Sequence, residues 1–429
     1  MCIPVRASLA VAVMAAATVT IIGCRHDAPA AAGWTGERST RGDTVTVFSR
    51  TPVTPEADSA HRLPVPTIVW TSDSLMRPIQ IEPGPDSLLF VADGWRIFVL
   101  GRGGTLVTVL GRRGDGPGEF RRIQGVHFLP PDTLLAWDGN TRRLSWLGLD
   151  GRLLKSVTMM ASPGYGSPRP GRPVAWGAPS GPGDSVLISW AAGMVRVADT
   201  PDSLVIVAAP LTGGPPRRLL ALADIQWADF GSVLGPARAY APRSLYAFGS
   251  RGAIAVADGM EACVTLHRPG EPPLEMCREW TRGKVGPEER SAEVLARLDA
   301  SDQQRTFLTA MIEGQEYPEL RNSIADLVFG MRGRIWTRMV DSTARMHPMI
   351  EGQFPEVRPE AYRWTVFGED GRWETDVMLP SEFQPLLIDG KSMWGVIEDQ
   401  NGAPAIATIA GEAGQPSPMA RVSDGGRSD

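Results

Sequence analysis

From residue 63 to about residue 412 the chain is a succession of short apolar runs separated by Gly, Pro, Asp and Asn. Runs of this length bounded by turn formers read as β-strands, because alternation with a period of two buries one face of a pleated strand. One unit of strand, turn, strand and turn keeps returning. Its first copy comprises residues 86–93, 95–100, a Gly103-Gly104 turn and 105–110. The second comprises 132–138, 143–147, an Asp150-Gly151 turn and 152–157, and a looser third comprises 184–190 and 203–208. The fourth runs through 252–258, 262–266, a Pro269-Gly270 turn and 274–280. The fifth runs through 333–338, 363–367, Asp370-Gly371 and 372–379, and the sixth through 387–397 and 405–410. Each copy is an antiparallel meander whose apolar faces cannot be buried alone, so the copies must stack, and radial stacking makes a propeller. The expected fold is all-β, a six-bladed β-propeller over residues 63–412, with the run 64–70 supplying the strand that closes the ring against the last copy.

One stretch follows a helical period instead. Between 287 and 314, Val294, Leu295 and Leu298, then Phe307, Leu308, Met311 and Ile312, fall on one helical face. Pro287 suits a first helical position, Ser301 with Gln304 forms a capping box, and Gly314 suits a stop. A short helical insert is therefore expected between the fourth and fifth copies, and inserts of this kind gather on one face of a repeat protein.

The two ends of the chain have other patterns. Arg6 is followed by an uncharged apolar stretch, residues 7–22, too short for a comfortable membrane span and suited to a secretory signal. It closes on Ile21-Ile22-Gly23-Cys24, which resembles the lipobox of bacterial lipoproteins. That resemblance implies cleavage after Gly23, a diacylglycerol on Cys24, and a cell-envelope protein held by its lipid on the periplasmic or outer surface of a membrane. Residues 24–62 then read as a lipid-attached tether, rich in Ala, Pro, Thr and Ser, with one docking strand at 43–49. Residues 413–429 have almost no large apolar side chains and read as a disordered tail.

Composition narrows the partners. With 43% hydrophobic and 21% charged residues the chain can bury a large core, and a net charge of −5 excludes the strong positive field that nucleic-acid binding needs. Arginine supplies nearly all the positive charge, the lysines being Lys155, Lys284 and Lys391 alone. Arg112, Arg113, Arg121, Arg122, Arg142 and Arg143 cluster around the second copy, as a basic rim for an anionic ligand or as solvated loop residues.

The joint between the first two copies is the most diagnostic segment. Gly111-Arg-Arg-Gly114-Asp-Gly116-Pro-Gly118-Glu-Phe120 leads into Ile123, Val126 and the second copy. This resembles the NHL repeat and related six-bladed propellers, closely over residues 111–151 and recognisably at 88–104 and 253–270. The glycines allow positive φ in a tight loop between blades, and Phe120 can wedge between them.

Candidate chemistry is sparse. Cys263 and Cys277 flank a turn centred near Gly270 and so stand opposite each other across a hairpin, where an oxidising compartment permits a disulfide. The turn acids Asp93, Asp138 and Asp258 could converge as metal ligands, as in calcium-dependent lactonases of this architecture, although Asp before Gly is also the default turn residue and that reading is favoured. Of the histidines in the folded part, His127, His267 and His347 occupy unrelated points of their copies. Trp137, Trp190, Trp336 and Trp394 recur at similar places, which packing between blades explains better than a carbohydrate platform. No His-Glu-x-x-His, Cys-x-x-Cys or Gly-x-Ser-x-Gly motif occurs. The first functional expectation is therefore a non-catalytic binding or scaffold module for a protein, peptide or glycan. The alternative is a divalent-metal-dependent, lactonase-like hydrolase or lyase, and calcium enters only under that alternative.

Overall fold

The computed structural model describes residues 35–50, 61–159, 185–191, 203–223, 227–230, 233–237, 240, 244–290, 301–314, 316–340, 359–390, 392–398 and 402–410. Residues 1–34, Cys24 among them, and residues 291–300 and 411–429 lie outside them, as does His347.

The chain is a six-bladed β-propeller. Blade 1 is formed by Pro78–Pro83, Leu89–Asp93, Arg96–Leu100 and Leu106–Leu110, and blade 2 by Ile123–Leu129, Thr133–Asp138, Arg143–Gly148 and Leu153–Thr158. The described strands of blade 3 are Ser185–Ala191, Ser203–Pro210 and Arg217–Ala223. Leu245–Phe248, Ile254–Ala257, Cys263–His267 and Leu274–Arg278 make blade 4, and Ile324–Phe329, Ile335–Met339, Ala361–Phe367 and Trp373–Pro380 make blade 5. Gln384–Ile388, Ser392–Glu398 and Pro404–Ala410 begin blade 6, and Thr67–Thr71 completes it antiparallel to Pro404–Ala410, closing the ring. First strands of adjoining blades touch one another from blade 4 through blades 5, 6 and 1 to blade 2, so they form the inner wall.

The first, second, fourth and fifth sequence copies begin on the second strand of a blade. The inner strands Pro78–Pro83, Leu245–Phe248 and Ile324–Phe329 belong to none of the copies, and residues 387–397 form a hairpin across Asp389 and Gly390. Asp389 accepts the Ser392 amide at 2.7 Å and Gly390 sits at φ 82°, which makes a turn where the apolar residues alone suggest one strand.

Apolar residues of adjoining blades form the core. Phe90, Ile97 and Leu110 of blade 1 pack on Phe120, Ile123, Val126, Leu134 and Leu147 of blade 2, and Phe120 is fully buried. Gly111 lies at φ 82° with its α-carbon so close to the Phe120 ring and the Trp95 carbonyl that a Cβ would meet both at 3.0 Å. A side chain there would push the wedge out. Equivalent clusters join blades 2 and 3, 5 and 6, and 6 and 1. Each large side chain buried this way contributes about 1.5–3 kcal/mol.

The segment before the ring is part of it. Gly36–Arg41 and Thr44–Ser49 form a hairpin, and Thr44–Ser49 lies parallel to the outer strand of blade 4 with Val47 buried. His61–Arg62 then runs parallel to the outer strand of blade 5, and the chain continues into blade 6. One N-terminal strap thus clasps the outer edges of three blades in succession. Beneath it Cys263 pairs with Cys277 in register and the two are joined in a disulfide closing a loop of separation 14, which contributes about 3 kcal/mol in the chain-entropy model.

The insert holds Pro287–Arg290 and Asp302–Glu313 as helices, the second with the Ser301–Gln304 capping box complete. Leu308 and Ile312 are buried, whereas Phe307 is 61% exposed. Residues one apart on a helix are rotated by about 100°, so Phe307 falls off the buried face that Leu308 occupies.

Candidate functional site

Antiparallel blades divide the ring into two ends. First strands start, and second strands finish, at one end, so the described connections between blades and turns between second and third strands lie there. Among the described residues, the opposite end holds tight turns such as those at Gly84, Gly103, Gly151 and Gly371. The connection end carries the Gly-rich loop at 111–122, a hairpin of Trp227–Phe230 with Val233–Ala237, and the insert. It is the elaborated end and the candidate site.

The turn acids lie at this end, and the scaffold uses their oxygens. Asp93 is fully buried and accepts the Met76 and Arg77 amides at 2.8 and 2.6 Å, catching the chain as it enters blade 1. Asp138, also fully buried, accepts the Arg121 amide at 2.7 Å, which does the same for blade 2, and those of Asn140 and Thr141 at 2.9 and 3.1 Å. Asp258 is exposed and accepts the Met260 amide at 2.8 Å. The glycine after the acid completes the joint, Gly94 accepting from Ile123 and Gly259 from Ile324, the first residues of the next blades. The Asp-Gly recurrence is a fastening between blades.

The backbone and acids of the Gly-rich loop are likewise held by the scaffold. Arg143 donates to the carbonyls of Asp115, Gly116 and Glu119. Glu119 pairs with Arg112 at 2.9 Å, and Asp115 makes two hydrogen bonds with Arg121, whose guanidinium holds the Asp115 carboxyl below the usual carboxylate range. Arg77, Arg113, Arg122 and Arg142 have no side-chain hydrogen bond or ion pair among the described residues.

At the inner wall the Gln80 side-chain amide accepts from the Val126 amide at 3.0 Å and donates to its carbonyl at 2.9 Å, so it stands in for a strand pairing between blades 1 and 2. Glu82 continues the seam, accepting from the Phe128 amide and contacting His127 Nδ1 at 2.7 Å. His267 sits in blade 4, where burial pushes its imidazole pKa down. Trp137 and Trp336 are fully buried, with indole nitrogens lacking a hydrogen-bond partner, as packing residues rather than a ligand platform. Trp394 packs in the core between blades 6 and 1, and the side chain of Trp190 lies outside the described residues.

The insert is fixed by ionic groups that the apolar pattern does not single out. Glu289, 1% exposed, accepts from the Tyr240 hydroxyl at 2.6 Å, Arg321 Nε at 2.9 Å and the Gly286 amide at 2.7 Å. Tyr240 lies in the connection from blade 3 and Arg321 at the return to blade 5, so one carboxylate ties two connections together. Replacing Glu289 by alanine removes the carboxylate that accepts from buried Arg321, Tyr240 and the Gly286 amide, a defect of about 3 kcal/mol. Limited proteolysis is expected to cut residues 279–323 faster in that variant, while the ring's main melting transition moves little.

Among the described residues the one group of three metal-ligating side chains within reach of each other is Cys263, Glu275 and Cys277, and its sulfurs are spent in the disulfide. No described helix is long and apolar enough to cross a membrane.

Fold and site define a six-bladed propeller with one elaborated end. No family model matches the chain, and no curated protein does. Solved structures match it over most of its length. A Bacteroides fragilis protein described as exported aligns at 10% identity with a TM-score of 0.44, over 86% of this chain and 99% of that one. Virginiamycin B lyase from Staphylococcus aureus, in a catalytically inactive form, aligns at 8% identity and a TM-score of 0.38, over 80% and 99%. The PQQ-bound aldose sugar dehydrogenase of Streptomyces coelicolor aligns at 12% identity and a TM-score of 0.38, over 81% and 98%. These likenesses concern the fold and leave the chemistry of the site open.

Proposed function

We propose that the protein is a non-catalytic binding module of the cell envelope, held on an extracytoplasmic membrane surface by a lipid on Cys24, whose elaborated end engages a protein, peptide or glycan. The observation that carries this reading is the use of the Asp93 and Asp138 carboxylates by backbone amides. A metal-dependent hydrolase or lyase of the lactonase type needs such acids directed at an ion. Recognition needs only what this end carries, a loop, a hairpin and an insert on a rigid ring. The lipobox-like Ile21-Ile22-Gly23-Cys24 and the Cys263–Cys277 disulfide support the compartment. Burial of Phe120 between blades 1 and 2 supports kinship with NHL-type repeats.

The test is metal analysis of the chain from residue 25 onward, purified without chelator, with melting followed on adding calcium or a chelator. The expected result is no stoichiometric ion and no shift in melting temperature with either addition. A stoichiometric ion whose removal lowers the melting temperature overturns the reading in favour of the enzyme. Mass spectrometry of the mature N-terminus, against a Cys24→Ser control, tests the lipid separately.

A further inference from the structure

The connection end is electrically divided. On blades 1 and 2, segments 72–77, 93–96, 111–122 and 138–143 carry eight arginines against five carboxylates. Two of those carboxylates, Asp93 and Asp138, are buried against backbone amides, and Asp115 and Glu119 are bound to Arg121 and Arg112. The guanidiniums left over are those of Arg77, Arg113, Arg122 and Arg142, of which all but Arg122 belong to exposed residues. Around the insert, the described residues of segments 258–262 and 279–323 carry nine carboxylates against five basic residues. A chain of net charge −5 therefore gathers a positive sector and a negative sector on one end.

The described chain begins at that same end. Thr44–Ser49 runs parallel to the outer strand of blade 4, which finishes at the connection end, and Gly36–Arg41 is antiparallel to it. Gly36 therefore lies at the connection end. Ten residues separate Cys24 from Thr35, a span of roughly 40 Å at most when fully extended.

We propose that the arginine sector of blades 1 and 2 docks on the anionic headgroups of the bilayer that holds Cys24, giving the propeller a second attachment at the end where its first described strand, Gly36–Arg41, begins. This rests on reading Cys24 as the lipid site. Phosphate oxygens match guanidinium geometry, and each arginine near an anionic surface contributes about a factor of five in affinity, from about 1 kcal/mol. Met76, 53% exposed beside Arg77, adds an apolar side chain at the interface. The diacylglycerol retains the protein, and the arginines orient it. The same surface charge repels the acidic insert, which turns toward solvent and is free to meet a partner.

The experiment is vesicle co-sedimentation of the unlipidated chain from residue 25 onward, which keeps every described strand of the ring and strap. Vesicles containing phosphatidylglycerol are compared with vesicles of phosphatidylcholine alone. The expected result is sedimentation with the former only, abolished at about 1 M salt, where the screening length falls to about 3 Å. Arg113→Glu with Arg122→Glu and Arg142→Glu should lower binding at least ~100-fold, on the factor of five per arginine. Arg113→Gln, at an exposed position, should lower it about fivefold without touching the fold. Reversing the exposed Arg251 and Arg332, in the turns of the opposite end, should leave it unchanged. Equal sedimentation with phosphatidylcholine, or equal loss from the opposite-end reversals, overturns the proposal. So does binding that soluble dextran sulfate captures as tightly as vesicles do, which marks a general polyanion site. Because the chain carries no acyl group here, these outcomes are independent of whether Cys24 is lipidated.

Discussion

Replacing Asp138 by alanine is expected to destabilise the ring by about 4 kcal/mol, because three backbone amides lose a charged acceptor at a fully buried position. Hydrogen bonds to charged groups contribute about 1.5–3 kcal/mol each, and an amide left without a partner costs its desolvation. Asp138→Asn keeps one acceptor oxygen and is expected to cost about 1–2 kcal/mol. Urea unfolding measures both, as a fall in midpoint at unchanged slope. Calcium should restore neither variant. A stable Asp138→Ala protein that has lost a calcium-dependent activity would instead return this acid to the role of metal ligand.

The second large effect belongs to Asp376, in the outer strand of blade 5. Its carboxylate accepts from Arg278 Nη1 at 2.5 and 2.6 Å, Thr365 Oγ1 at 2.8 Å, Arg363 Nη1 at 2.9 Å and Trp373 Nε1 at 3.0 Å. Arg278 comes from blade 4 and stacks over Trp373, its guanidinium carbon 4.6 Å from the ring centre. Asp376→Ala leaves a buried guanidinium unpaired and is expected to cost about 3–5 kcal/mol. Replacing both partners by apolar residues, Asp376→Leu with Arg278→Met, should cost clearly less than Asp376→Ala, because the buried guanidinium leaves with its carboxylate and the remaining partner Arg363 reaches solvent. A double-mutant cycle reads this as strong coupling between the two positions. If instead the two losses add, the pair is not what joins blades 4 and 5.

How far the sequence discloses this molecule depends on which physical force sets each feature. Alternation and turn residues placed the outer strands, the closing strand at 67–71 and the cystine, because a two-residue period and a hairpin's symmetry are properties of the chain itself. Inner strands such as Pro78–Pro83 were hidden. Gln80 and Glu82 sit there for seams with the next blade and alternate with Ile79 and Ile81, but the run is short and bounded by Pro78 and Pro83. The turn acids were visible as residues, yet their use was not, since capturing an amide and holding an ion call for the same carboxylate. Asp376 did leave a signal, a charge inside the strand-like run 373–380. Its partner Arg278 stands 98 positions away, beyond any local pattern.

The strap also sets an order of assembly. Thr46 meets Glu275 across a separation of 229 residues, so in a chain delivered from its N-terminus the strap emerges long before the strand it must lie against. Until then its hairpin stands by itself, and a lone two-stranded hairpin is marginal in water. Closing so long a loop is slow compared with folding within a blade. Blades 4, 5 and 6 therefore wait with open outer edges, and the first residues to arrive are among the last to be bound.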